Sequence, residues 1–145
     1  MQRSDTQAIS IDAPPSAVID LLTNAAEFPR WAAGFARAVR VDGDDWIVDT
    51  GEAEVRLRVR VSREYGTVDF LLADALPTRE IGAFSRVVPN GRRSELVFTQ
   101  FFADDTRDAD LADQRAIVAI ELQTVRALCE RAAAPDVISA TGPRC

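Results

Sequence analysis

Residues 53–61 read Ala53-Glu54-Val55-Arg56-Leu57-Arg58-Val59-Arg60-Val61. Every second side chain is apolar and each one between is charged. That period of two is the pattern of a β-strand with one face against a core and the other in water. A helix would need apolar residues three and four apart. The same alternation continues on both sides. Val39 and Val41 flank Arg40, Trp46 and Val48 flank Ile47, and Val68, Phe70 and Leu72 follow a turn at Glu64-Tyr65-Gly66. After a loop containing Pro77, strands are predicted over Glu80 to Val88 and Ser94 to Ala103, joined at Asn90-Gly91, a strong hairpin signal.

The turns set an expected register. Around Glu64-Tyr65-Gly66, Val61 should face Val68, Val59 face Phe70 and Leu57 face Leu72. Around Asn90-Gly91, Val87 should face Ser94, Ser85 face Leu96 and Ala83 face Phe98. Around Thr50-Gly51, Val48 should face Ala53 and Trp46 face Val55, while Gly43-Asp44 sets Val41 against Trp46. All these pairs fall on one face, and agreement between independent hairpins supports a single apolar side. The other face should pair Arg60 with Asp69 and Arg86 with Glu95, a solvated charge ladder. Leu71, Phe84, Val97 and Phe101 also fall on that outer face, and an apolar patch there suggests a homodimer contact.

Outside the strand region the period changes. Thr6 to Ile11 alternates and reads as a first strand. Pro15 suits the first turn of a short helix running to Leu22. Asn24 to Gly34 reads as a second short helical piece, interrupted by Pro29. From about Ala109 to Ala133, Leu111, Val118, Leu122, Val125, Cys129 and Ala132 recur at three and four residues, with Asp108 placed to cap. Pro135 follows the end of this helix. Residues 1–133 are therefore expected to form one domain and 134–145 a flexible tail. The fold class is α+β: a curved antiparallel sheet of about seven strands around a long C-terminal helix, with two short helices after strand 1.

Composition excludes several classes. The 145 residues carry 23 acidic and 17 basic side chains, net −6, with no basic footprint for nucleic acid or an anionic membrane. No apolar run approaches a membrane span. Met1 to Ser10 is polar, without the apolar core of a signal peptide, which sets a cytoplasmic expectation. The chain has no histidine, which removes His-based triads, His general bases and His metal ligands. Its two cysteines, Cys129 and Cys145, form no framework; the first should be a small core residue and the second a solvated terminus. The acidic clusters at 42–45 and 104–110 lack the pattern of a calcium loop. No cofactor and no metal are expected.

The order of strand, two short helices, a run of antiparallel strands and one long helix resembles the helix-grip fold of the START-like SRPBCC superfamily, which includes polyketide cyclases, aromatases and lipid carriers. The matching stretches are Ile9-Ser10-Ile11-Asp12-Ala13-Pro14, Trp31 after a Phe-Pro break, Gly66-Thr67-Val68-Asp69, Arg86-Val87-Val88-Pro89-Asn90-Gly91, Ser94-Glu95-Leu96-Val97-Phe98-Thr99 and the helix around Glu121-Leu122. The likeness spans about Thr6 to Arg131 and is nearest to small bacterial proteins of the polyketide cyclase/dehydrase type. The resemblance leads one to expect a histidine after the Val-Asp pair; this chain has Phe70 there.

The resemblance implies a cavity between the concave sheet and the long helix. Its expected ligand-binding residues are Trp31, Phe35, Trp46, Val48, Leu57, Val59, Phe70, Ile81, Ser85, Phe98, Gln100, Arg115, Val118 and Leu122. Polar groups among them are few: Ser85, Gln100, the Trp46 indole, and Arg115, which lies between Leu111 and Val118 on the helix and is more readily placed snorkelling outward. Asp49, Glu52 and Glu121 are expected to be surface charges, so no catalytic residue is assigned. The function expected is binding of a hydrophobic small molecule, aromatic, polyketide-like or lipidic. The alternatives are a cyclase, aromatase or dehydrase acting on a polyketide, and an interaction protein with a filled core.

Overall fold

The computed structural model describes residues 2–133. The expected tail at 134–145, with Pro135 and Cys145, lies outside the described residues. In chain order the elements are β1 (Arg3–Ile11), α1 (Pro15–Thr23), a 3-10 turn (Ala25–Glu27), α2 (Phe28–Trp31), β2 (Ala38–Asp42), β3 (Asp45–Asp49), β4 (Glu54–Ser62), β5 (Thr67–Leu72), a 3-10 turn (Ala73–Ala75), β6 (Gly82–Asn90), β7 (Arg93–Phe102) and α3 (Asp108–Ala133). The strands form one seven-stranded sheet in the order β1-β7-β6-β5-β4-β3-β2. Every neighbouring pair is antiparallel.

Local chemistry explains the short helices. Pro15 opens α1, where its missing N–H costs nothing, and Val18, Ile19 and Leu22 turn into the core. The Asn24 side chain accepts from the Ala26 backbone N–H and starts the 3-10 turn. Pro29 is the second residue of α2, so it begins that helix rather than interrupting one. Helix α3 starts at Asp108, whose carboxylate lies 2.8 Å from the Arg3 guanidinium. Asp108 and Asp110 place negative charge in its first turn, which the helix dipole favours.

The core lies between the concave face and the helices. Val48, Leu57, Val68, Phe70, Val87, Leu96 and Phe98 from the sheet share one cluster with Val118, Leu122, Val125 and Cys129 of α3. Val59 packs against the edge of that cluster. Burial pushes the Cys129 thiol up to about 11, so it packs as a neutral side chain.

Two of the four expected registers differ. Around the β6–β7 hairpin Val87 faces Leu96, Ser85 faces Phe98 and Ala83 faces Gln100. Asn90 pairs with Arg93, so the loop is Gly91-Arg92 and Asn90 belongs to the strand. Gly91 takes φ +61 at the first loop position, the conformation that suits glycine in a two-residue hairpin. Between β3 and β4 the loop has four residues, because Asp49 pairs with Glu54. Its Thr50 N–H donates to the Ala53 carbonyl at 2.9 Å. Val48 therefore faces Val55 and Trp46 faces Leu57. Both shifts are by two residues, which leaves every side chain on its expected face. The pairings of Val61 with Val68, Val59 with Phe70, Leu57 with Leu72 and Val41 with Trp46 stand as expected.

The outer face carries the charges. Arg60 faces Asp69 and pairs with it at 2.8 Å. Arg58 pairs with Asp45 at 2.7 Å and Arg40 with Glu54 at 2.6 Å. Arg86 faces Val97 instead of Glu95, and Glu95 accepts from Ser10 and Asn90. The outer apolar patch is smaller than expected. Leu71 is fully buried within the chain. It faces Arg58 across β4, as Ile47 faces Arg56, so arginine stems flank both. Phe84 and Phe101 meet edge to face at 5.9 Å, and Phe101 stays exposed.

Candidate ligand-binding cavity

A cavity of about 230 Å³ lies between the sheet, the segment from α2 to Phe35, and α3. Phe28, Trp31, Ala32 and Phe35 form one wall. Leu57 of β4, Phe70 and Leu72 of β5, Gly82 and Ala83 of β6, and Phe98 and Gln100 of β7 form the floor. Gln114 and Glu121 of α3 close it. Gly82 lies opposite Leu71, and any Cβ there would stand 1.8 Å from the Phe70 carbonyl oxygen. The absent side chain lets β5 and β6 approach beneath the cavity.

The wall is largely aromatic. Phe28 meets Trp31 edge to face at 5.5 Å and Phe70 at 5.6 Å, and Phe70 meets Phe98 at 6.4 Å. Such contacts hold the rings in fixed orientations. Phe35 lines the cavity while remaining exposed, so it stands at the opening.

Among the described residues three buried side-chain polar atoms have no hydrogen-bond partner: Trp31 Nε1, Gln100 Oε1 and Glu121 Oε2. All three residues line this cavity. Buried polar groups are ordinarily satisfied, so three exceptions around one space call for an explanation. Glu121 is the most informative. Burial lifts its carboxyl from the ordinary 4.5 to about 7, and the nearby Gly34 backbone N–H offsets part of the rise. At neutral pH this group is divided between acid and carboxylate.

The residues expected at the site divide into two groups. Trp31, Phe35, Leu57, Phe70, Phe98 and Gln100 line the cavity. Trp46, Val48, Val59, Ile81, Ser85, Arg115, Val118 and Leu122 do not. Val48, Val118 and Leu122 are spent on core packing. The Ser85 hydroxyl donates to the Val68 carbonyl at 2.6 Å. Arg115 points the other way, its Nε 2.9 Å from Asp5 of β1. Glu121, expected at the surface, faces the cavity. The signal was present in the spacing: it follows Val118 by three residues and precedes Val125 by four. Gln114 precedes Val118 by four and shares that face.

A second, more open depression of about 390 Å³ lies between α1 and the end of α3, lined by Leu21, Leu128 and Cys129 with Asp20, Glu27, Arg30 and Arg131. Arg30 is paired with Glu27 there at 2.6 Å. Among the described residues no group of three or more His, Cys, Asp or Glu side chains is placed to hold a metal ion. No helix among them is long and apolar enough to cross a membrane.

No protein-family model and no curated protein sequence matches the chain. Solved structures do. The START superfamily protein from Mycobacterium smegmatis superposes with a TM-score of 0.66 at 9% identity, over 90% of this chain and 99% of that one. The Zhui aromatase/cyclase from Streptomyces sp. R1128 gives 0.64 at 15% identity, over 98% and 99%. The Aha1 dimer from Colwellia psychrerythraea gives 0.67 at 16%, over 88% and 96%. Identities this low carry the architecture and leave the chemistry open. A seven-stranded antiparallel sheet curved around a C-terminal helix, shared with these proteins over most of their length, is the START-like helix-grip fold, and this chain has it.

Proposed function

We propose that residues 2–133 form one ligand-binding unit that takes a hydrophobic small molecule into the cavity between the sheet and α3. The observation that carries this reading is the aromatic cavity of about 230 Å³. Its size narrows the ligand. Sites for drug-sized molecules begin near ~300 Å³, while an apolar cavity of ~150 Å³ already takes up benzene. The volume therefore favours a compound of one or two rings over a long polyketide or an acyl lipid. It also weighs against a filled core. Native mass spectrometry of the purified protein tests the reading. A copurified or added aromatic compound should appear as a noncovalent adduct, and Ala83→Phe, which fills the cavity, should abolish it. An adduct that persists in that variant would place binding elsewhere.

A second reading is supported by Glu121. A carboxyl poised near neutrality inside an apolar site suits general acid–base chemistry, as a cyclase, aromatase or dehydrase would need. In that case Glu121→Gln should abolish turnover of a poly-β-keto substrate while leaving its binding intact. A self-contact through Phe84, Val97 and the exposed Phe101 is a separate proposal. Sedimentation at micromolar concentration should then report a dimer that Phe101→Ser dissociates, and a wild-type monomer would exclude it.

A further inference from the structure

We propose that the cavity selects an organic cation: an aromatic amine of one or two rings whose ammonium group sits against Glu121. This rests on the reading that the cavity holds a small molecule, and it names the chemistry of that molecule. The argument starts from what the cavity lacks. Glu121 Oε2 is shut off from water and has no hydrogen-bond partner. Among the described residues no arginine lines the cavity, and the chain contains no lysine. Arg115 of α3 is paired with Asp5, and Arg30 beside Trp31 is paired with Glu27. The protein thus provides a buried carboxyl and withholds the positive charge that would ordinarily accompany it.

Ligand classes can be sorted against that deficit. An anionic ligand would meet Glu121 with no cation to receive it. A neutral hydrocarbon would leave Oε2 and Gln100 Oε1 unmatched. A protonated amine supplies both a counter-charge and N–H donors, and two partnerless acceptors are present to take them. The walls favour the same choice. Trp31, Phe35, Phe70 and Phe98 line the cavity, and an ammonium group is attracted to the negative face of an aromatic ring. The Trp31 indole N–H, a partnerless donor, is left for an oxygen elsewhere on the ligand.

The test compares 2-phenylethylamine with its neutral counterpart 2-phenylethanol by isothermal titration calorimetry at pH 8. Wild-type protein should bind the amine at least about tenfold more tightly. Glu121→Gln should erase that preference by weakening the amine alone, leaving the alcohol within about threefold of wild type. If the alcohol binds wild type as tightly as the amine, the cation assignment is wrong and the cavity reading survives. If neither compound binds, the cavity reading fails and takes the assignment with it. The comparison within wild-type protein decides the matter even if the variant does not fold.

Discussion

Burial acts on Glu121 in a direction that solution measurements can read. Its folded value is about 7 against an ordinary 4.5. Between those two values the folded chain holds a proton that the unfolded chain has released. This group's contribution to stability therefore falls as pH rises through that window, and levels off above it. Asp45, Glu54, Glu80 and Glu95 act oppositely, because arginine or hydroxyl and amide donors hold their carboxyls below the ordinary range. They lose their contribution as pH falls. Subtracting the urea midpoints of Glu121→Gln from those of wild type across pH isolates the Glu121 component. The wild-type curve should decline relative to the variant between pH 4.5 and 7, and parallel curves would mean that the carboxyl is solvated. Gly82 makes a second residue-scale prediction. With φ +156 and the Phe70 oxygen 1.8 Å from any Cβ, Gly82→Ala should cost at least about 2 kcal/mol in urea unfolding. Neither residue was assigned this place from sequence. Glutamate on a helix is usually outside, and only the three-and-four spacing to Val118 and Val125 spoke against that. A glycine near a strand start gives no sign of what its neighbour's carbonyl will require.

Elements were far more legible, because periodicity is a property of many residues at once. The alternation along β4 survives any error in its ends, and a hairpin loop misjudged by two residues moves partners without turning a side chain over. Both register corrections were of that kind. The helix stripe was legible in part: Val118, Leu122, Val125 and Cys129 face the core. Arg115 was grouped with them on spacing, but β1 provides Asp5 on the side it faces. A direct check of the stripe is to truncate one residue on it and one off it. Leu122→Ala should cost about 2–5 kcal/mol. Ile120→Ala, at a position 64% exposed, should change stability by no more than about 0.5 kcal/mol. Equal costs at the two positions would mean that α3 is rotated about its axis.

At the scale of the molecule, the order of elements carried the fold, and the cavity was where legibility ended. Whether facing side chains meet or leave a gap depends on volumes summed over six elements, and no spacing rule reports that sum. The two tryptophans offer a way to watch the gap: Trp31 lines it and Trp46 does not. In Trp46→Phe all indole emission comes from Trp31, and saturation with an aromatic compound should shift or quench it. Unchanged emission at saturation would place the compound outside the cavity. One further feature bears on how the chain is made. The first strand is completed by the last: Thr6 and Thr99, whose hydroxyls lie 2.8 Å apart, are separated by 93 residues. At a translation rate of ~5–20 residues per second, Arg3–Ile11 leaves the ribosome roughly 5–20 s before its partner exists. Throughout that interval a nascent β-segment has open hydrogen-bonding sites and nothing native to fill them. A sheet that closes on its own beginning is completed only once nearly all of its strands have been made.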